Sequence, residues 1–265
     1  MPQPTPPVAF LLDLDGTLYA NGAAIPGAPE ALDRLRSGEV PFRLVTNTTS
    51  RSRAMLVDRF RDYGFAAEPE DVFTAVLAGA ELVRARGMRV IAPFLPAPAL
   101  ADLSHFELVG GSSGRLAGPA PQAVMLGDLA EGWSYERLQE AFEYVMNGAA
   151  VIALSRDRYW QRGDRLALDA GPFVAALEYA AGVTATVAGK PSPAFFAAAV
   201  ASLGLPADAR VAMIGDDLWS DVQGAQGAGL EGWLVRTGKF REQALRESGI
   251  TPDRILPSLA SLAQP

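Results

Sequence analysis

The 265-residue chain contains no cysteine. That absence excludes disulfides, thiolate nucleophiles and Cys-ligated zinc, and it suits a reducing compartment. Histidine is almost absent: His105, between Ser104 and Phe106, is the single example. One imidazole without partners cannot build a histidine triad or a multi-His zinc site, so His105 reads as structural or surface. Positive charge is in deficit, with 23 Lys and Arg against 30 Asp and Glu, a net charge of -7 and a pI near 4.9. An acidic chain of this kind opposes binding to nucleic acid or to an anionic membrane. An anionic substrate would need a local cation, a lysine or a metal, to offset that field. No stretch approaches the roughly 18 consecutive apolar residues that span a bilayer. The opening "MPQPTPPV" lacks a basic segment followed by a long apolar one, so residues 1–7 read as a short disordered tail rather than a signal peptide. The expectation is a soluble, cytoplasmic protein.

What the chain does have is strand–helix alternation. Unbroken apolar runs at Val8–Leu12, Phe42–Val45, Val183–Ala188, Val211–Ile214 and Trp233–Val235 have the character of strands buried on both faces. Helical patterns lie between them. Ala28–Arg36 stops at Ser37-Gly38, Ser52–Tyr63 stops at Gly64, and Ser192-Pro193 opens Ala194–Leu203 as N-cap and first-turn proline. The spacing predicts an α/β fold, a parallel sheet with helices on both faces. Residues 88 to 171 differ, with short strand candidates at Val90–Ala92, Phe106–Val109, Ala123–Leu126 and Val151–Leu154 around one helix, Ser134–Met146. This middle reads as an inserted α/β domain. The predicted division is a core from 1–78 and 182–265, sharing one sheet, and an insert over 79–181.

Ligands of open α/β sheets sit beyond the carboxyl ends of the strands, so those ends locate the chemistry. The first strand ends in Asp13-Leu14-Asp15-Gly16-Thr17, the second in Thr46-Asn47-Thr48, the segment after the insert in Gly189-Lys190-Pro191, and the next in Gly215-Asp216-Asp217 with Asp221 following. Each piece alone is bland: Thr-Asn suits a turn, and acids suit a helix N-terminus. Gly189-Lys190-Pro191 is not a Walker loop, because Thr184 stands where the earlier Gly belongs and Pro191 replaces Ser or Thr. Together they place several like charges at buried strand ends, which costs folding energy unless a cation or a shared proton sits among them. A divalent cation with hard oxygen ligands, such as Mg²⁺, meets that need.

These pieces resemble a known family. "DLDGTLY" (13–19), "VTNTTSRSR" (45–53), "GPFVAALEYA" with "GKPSPAFF" (171–180, 189–196), and "MIGDDLWSDVQGAQGAG" with "VRTGKF" (213–229, 235–240) look like the four motifs of haloacid dehalogenase-superfamily hydrolases. The insertion point resembles the class II cap of subfamily IIA, and the chain is similar to its nitrophenylphosphatase-like and phospholysine/phosphohistidine inorganic pyrophosphate phosphatase members.

The resemblance implies a Rossmann-like core and a Mg²⁺-dependent phosphatase acting on small phosphorylated metabolites through a phosphoaspartate. Asp13 would be the nucleophile, and Asp15 the acid that protonates the leaving oxygen and later the base that deprotonates water. The Asp13 and Asp216 carboxylates and the Asp15 backbone carbonyl would hold Mg²⁺, with Asp221 supporting from behind. Thr46, Asn47 and the turn at Gly16 would hold the phosphoryl group, and Lys190 would bridge it to Asp13. The resemblance also suggests a homodimer. Trp160 and Asp169, in the Arg- and aromatic-rich segment 155–171 of the insert, are candidates for choosing among leaving groups; the segment also reads as a solvated hairpin. Two other readings stay open at this point: a dehalogenase, which needs neither metal nor Asp15, and a catalytically silent metabolite-binding or regulatory protein of the same fold.

Overall fold

A computed structural model describes residues 7–115, 118–206 and 208–262 of the chain. All of the expected N-terminal tail except Pro7 therefore lies outside the described residues. The chain forms two compact units. The first runs to Thr46, resumes over Ala54–Phe73, and takes up the chain again from Lys190; the second holds Asn47–Arg53 and Thr74–Gly189.

The first unit is built on a six-stranded sheet in the order Arg254–Leu256, Glu231–Val235, Val211–Gly215, Ala9–Asp13, Phe42–Thr46, Val72–Thr74. The first five of these pair in parallel, and Leu12 stands level with both Ile214 and Leu44. Every residue of Ala9–Asp13 and of Val211–Gly215 is buried, which is why both runs are apolar without alternation. On one face Phe10 and Leu12 join Leu32 and Leu35 of helix Ala28–Ser37, Leu56 and Phe60 of helix Arg53–Asp62, and Trp233. Phe10 meets Trp233 edge-on at 5.6 Å between ring centroids. The chain leaves Ala9–Asp13 toward one edge of the sheet and returns to build the other from Val211–Gly215 outward. The order reverses between these two strands, and such a switch point is where an open α/β sheet offers a crevice beyond its strand ends. Asp13 and Asp216 lie at its two sides.

The second unit holds a five-stranded sheet in the order Thr186–Val187, Ala150–Ala153, Ala123–Leu126, Val90–Phe94, Glu107–Leu108, parallel throughout. Helices Tyr135–Met146 and Ala170–Ala181 pack on it, the former capped by the Ser134 hydroxyl, which accepts from the Arg137 amide. Trp133 is stacked between Phe94 and Phe173, with centroids at 5.7 and 4.5 Å. Tyr159–Arg162 and Arg165–Leu168 form an antiparallel hairpin whose residues are almost all exposed. Among the described residues no helix is long and apolar enough to cross a membrane.

One strand falls in the other unit from the one expected. The apolar pattern assigns Val183–Ala188 to the first sheet, but only Thr186–Val187 is extended, and it pairs with Ile152 and Ala153 of the second. Both residues are half-buried, as an edge strand is, and the Ala188 amide continues the ladder onto the Ala153 carbonyl. The returning segment of the first unit therefore begins at Lys190 rather than 182, and the outgoing segment ends at Phe73 rather than 78. Arg254–Leu256, a strand that the apolar pattern does not announce, takes the sheet edge instead.

Asp169 is the N-cap of helix Ala170–Ala181, accepting from the Ala170 amide at 2.5 Å. Burial, with the nearby Asp128 and Asp157 carboxylates, pushes its pKa up from 3.8 to about 6. The folded state thus holds this proton more tightly than the unfolded chain, and the resulting stability is lost as pH rises from about 4 through about 6. Asn caps a helix about as well as Asp but carries no charge. Asp169→Asn should therefore melt above the wild type at pH 8, and the two curves should converge at pH 4. Thermal melts of both proteins at the two pH values check this.

Candidate active site

The strand Ala9–Asp13 ends on the first aspartate, and the chain then coils tightly. The amides of Thr17, Leu18 and Tyr19 all turn back onto the Leu14 carbonyl at 2.9–3.3 Å, and the Gly16 amide donates to the Tyr19 carbonyl at 2.7 Å. Gly16 sits at φ +87°, in the left-handed region. Asp13 is buried by this loop while Asp15 is exposed, so two aspartates two residues apart have unlike surroundings. The Thr17 hydroxyl is buried with no hydrogen-bond partner, and the buried Tyr19 ring lies 4.8 Å beneath the Arg59 guanidinium.

Lys190, the first residue of the returning segment, is buried between two carboxylates. Its ammonium donates to Asp13 Oδ1 at 2.5 Å and to Asp221 Oδ1 at 2.7 Å. Burial alone would push the lysine pKa down, but the two carboxylates outweigh it and the net shift is upward, so Lys190 is charged at any ordinary pH. Burial raises Asp13 as well, opposed by Lys190. Asp221 is pushed up to about 6 by burial, again with Lys190 pulling the other way.

Asp216 approaches from strand Val211–Gly215. Its Oδ2 accepts from the Lys239 backbone amide at 2.6 Å. Burial first, and then the charge on Asp13, push its pKa up to about 7. One oxygen each of Asp13, Asp216 and Asp221 lies within 4.8 Å of the others, and all three residues are buried. An all-oxygen, buried, anionic donor set of this size suits a hard divalent cation such as Mg²⁺. Asp221 is the most committed of the three, since its Oδ2 also accepts from the Asp217 amide at 3.2 Å. Asp13 and Asp216 are therefore better placed to hold a cation directly.

Beyond Asp216 the chain does not open an ordinary α-helix. Residues Leu218–Gln223 form a π-helical turn, with Asp217 capping it by accepting from the amides of Trp219 and Ser220, each at 3.0 Å. The wider turn packs the Asp221 carboxylate so close to Gly215 that a Cβ there would lie 2.1 Å from Oδ2. The fourth segment expected to matter also ends a strand: Thr46 is buried at the end of Phe42–Thr46. Asn47 is the next residue but belongs to the second unit, where its side chain lies beside Gly189. Trp160 and Asp169 are in the second unit too, the first on the exposed hairpin and the second at its helix cap.

Three neighbours of the carboxylates receive no role from the sequence pattern: Asp217, Lys239 and Gly238. Lys239 pairs with Asp217 through its ammonium at 3.0 Å, besides its amide contact to Asp216. The signal for them is nonetheless present. Thr237-Gly238 comes just after the strand Glu231–Val235, and the rule that singles out the other strand ends applies to this one equally.

Comparison with known proteins agrees with this arrangement. The model of the haloacid dehalogenase-like hydrolases matches residues 10–99, and that of the HAD-hydrolase-like group matches residues 187–262. Haloacid dehalogenase-like hydrolase domain-containing protein 2 of Bos taurus is 43% identical over 92% of this chain and 89% of its own length. Phospholysine phosphohistidine inorganic pyrophosphate phosphatase of Homo sapiens is 36% identical over 94% of this chain and 90% of its own. The crystal structure of 4-nitrophenylphosphatase from Thermotoga maritima superposes with a TM-score of 0.84 at 27% identity, covering 97% of both chains. Similarity of this extent, over both halves of the split sheet and the four strand ends, makes the chain a member of the haloacid dehalogenase-like hydrolase family, in its phosphatase branch.

Proposed function

We propose that the protein is a Mg²⁺-dependent phosphatase that hydrolyses small phosphorylated metabolites through a phosphoaspartate on Asp13. The observation that carries this reading is the Lys190 ammonium held between Asp13 and Asp221 beside Asp216. The ammonium favours the anionic form of the Asp13 carboxylate against the effect of burial, as a nucleophile requires, and it supports a role in receiving an anionic phosphoryl group. Asp13 attacks phosphorus, the ester bond breaks, and the acyl phosphate forms on Asp13. Asp15, exposed two residues on, gives its proton to the departing oxygen and then takes one from the water that cleaves the acyl phosphate. Thr46, Asn47 and the backbone at Gly16 orient the phosphoryl oxygens, and Asp221 holds Lys190 in place. The Asp13 and Asp216 carboxylates and the Asp15 carbonyl would hold Mg²⁺, which when bound neutralises phosphoryl charge so that an anionic nucleophile can approach.

Phosphate monoesters, pyrophosphate and phosphoamides all present the group that these residues handle. None of these residues reads what lies beyond the phosphoryl group, so the choice of substrate is assigned to the second unit, with Trp160 and Asp169 as candidates.

Three outcomes test the reading. Asp13→Asn, nearly isosteric, should keep the fold and lose at least about a thousandfold in kcat on 4-nitrophenyl phosphate; a few per cent of residual activity in a clean preparation would refute the phosphoaspartate. EDTA should abolish turnover, with Mg²⁺ restoring it and Ca²⁺ failing to, because looser coordination misplaces the nucleophile. Full activity in EDTA would refute the metal dependence. Trp160→Ala should reorder kcat/KM across a panel of phosphate esters while Mg²⁺ dependence stays unchanged; an equal factor on every substrate would make the residue scaffolding.

A further inference from the structure

The Asp216 carboxylate is enclosed by backbone rather than by side chains. A Cβ on Gly16 would lie 1.9 Å from Asp216 Oδ2, and a Cβ on Gly238 would lie 2.0 Å from the same oxygen. Both distances are far inside van der Waals contact, so neither position can carry a side chain while Asp216 stays where it is. Both glycines also adopt positive φ, +87° and +56°. The two loops touch each other as well: a Cβ on Gly238 would stand 2.5 Å from Gly16 Cα, and the Thr237 hydroxyl donates to the Gly16 carbonyl at 2.5 Å. Into this slot the Lys239 amide donates its N–H, again to Oδ2, at 2.6 Å. One carboxylate oxygen is thus walled by two glycines and consumed by an amide. No hydrogen bond to the other, Oδ1, is formed among the described residues.

We propose that Thr237, Gly238 and Lys239 form a backbone clamp that leaves Asp216 a single oxygen for a cation and so tunes the carboxylate cluster toward Mg²⁺ and against Ca²⁺. The inference rests on the metal site proposed above. Its physical basis is the difference between the two ions. Mg²⁺ demands near-ideal octahedral geometry at short distances, which one-oxygen carboxylate ligands satisfy, whereas Ca²⁺ takes more ligands at longer distances and readily accepts both oxygens of one carboxylate. A clamp on Oδ2 blocks the two-oxygen mode at Asp216 and leaves the one-oxygen mode intact. The clamp also spans both metal-holding segments, because Thr237 ties the loop of Asp13 and Asp15 to the loop that grips Asp216. The Lys239 side chain is incidental to this function: its ammonium is directed to Asp217, and only its amide reaches Asp216. These would be positioning residues, acting through Asp216 and the Gly16 loop that they contact.

The test is calorimetric titration of the whole chain with Mg²⁺ and, separately, Ca²⁺, without substrate, with circular dichroism and melting in EDTA as the control for folding. Gly238→Ala should weaken Mg²⁺ binding by about tenfold or more while Ca²⁺ binding changes less, so that the ratio of the two affinities moves toward Ca²⁺. Thr237→Val removes the hydroxyl at nearly constant volume and should move the ratio the same way by a smaller factor; it decides the matter if Gly238→Ala does not fold. Lys239→Ala keeps the amide and should bind Mg²⁺ as tightly as the wild type or more tightly, since a nearby positive charge is gone. A folded Gly238→Ala or Thr237→Val whose two affinities are unchanged, or fall by one common factor, overturns the clamp. So does a Lys239→Ala protein that loses Mg²⁺ affinity as severely as Gly238→Ala. Wild-type protein that binds neither ion overturns the metal site itself, and the clamp with it, which is a different result from a metal-binding wild type with indifferent variants.

Discussion

Everything at the catalytic end of the first sheet depends on one buried ammonium. Asp13, Asp216 and Asp221 bring carboxylate oxygens within 4.8 Å of one another in a site that water scarcely reaches. Each pair of like charges at that separation repels by about 3 to 4 kcal/mol at an effective dielectric of 20. Lys190, at 2.5 and 2.7 Å from two of them, offsets that repulsion and opposes the upward push of burial on both. A buried triad of this kind is seldom the most stable way to fill a core; apolar residues of equal volume commonly do as well or better. Its presence at the switch point of the sheet is therefore an argument about chemistry. The proposed nucleophilic role of Asp13 gives a reason for the expense of the buried charges, since a carboxylate nucleophile has to be anionic and shielded from water at once.

The remaining burden falls on Asp216, which has no lysine ammonium at hydrogen-bond distance among the described residues. Its raised pKa records this, with burial as the first cause and Asp13 as the second. What holds it is backbone: one amide and two glycine walls. Side-chain cations and backbone donors thus divide the cluster between them. A side chain such as Lys190 can be aimed at two acceptors from a distance, whereas a peptide N–H has a fixed direction and fixes the direction of what it binds. The glycines at 16 and 238 make that close approach of main chain to carboxylate feasible, and their positive φ angles explain why nothing larger stands there.

Much of this is legible in the sequence because parallel strands buried on both faces announce themselves as continuous apolar runs, and their carboxyl ends mark the crevice. Asp13, Thr46 and Asp216 emerge from reading strand ends, and the structure sets each of them at or just beyond an end of the first sheet; Lys190 emerges by the same reading, although the strand before it pairs in the second sheet. The failures have equally specific causes. Val183–Ala188 looks like a core strand because its composition is apolar, yet an edge strand of two half-buried residues has much the same composition, and pairing partners are invisible in one sequence. Arg254–Leu256 escapes notice for the opposite reason: its residues are largely exposed, so it lacks the apolar run that marks a buried strand. The π-helical turn at Leu218–Gln223 leaves no trace in residue type, because it differs from an α-helix only in which carbonyl each amide reaches. Lys239 is easily overlooked because its important group is its amide, and every residue except proline has one.

The charge of the whole chain completes the argument. A net charge of -7 repels a phosphorylated substrate at long range, although salt confines that repulsion to about a Debye length. Selection for an anion must then be local and short-ranged. Lys190 lies against Asp13 itself and Lys239 at the rim, its ammonium paired with Asp217 and largely exposed. Both lysines have pKa values raised by neighbouring carboxylates, so neither can lose its proton near neutral pH. The acids that burden the site electrostatically are the same groups that keep its cations charged. An acidic protein can therefore still present local positive charge to a phosphoryl group, and Lys190 presents it directly beside Asp13.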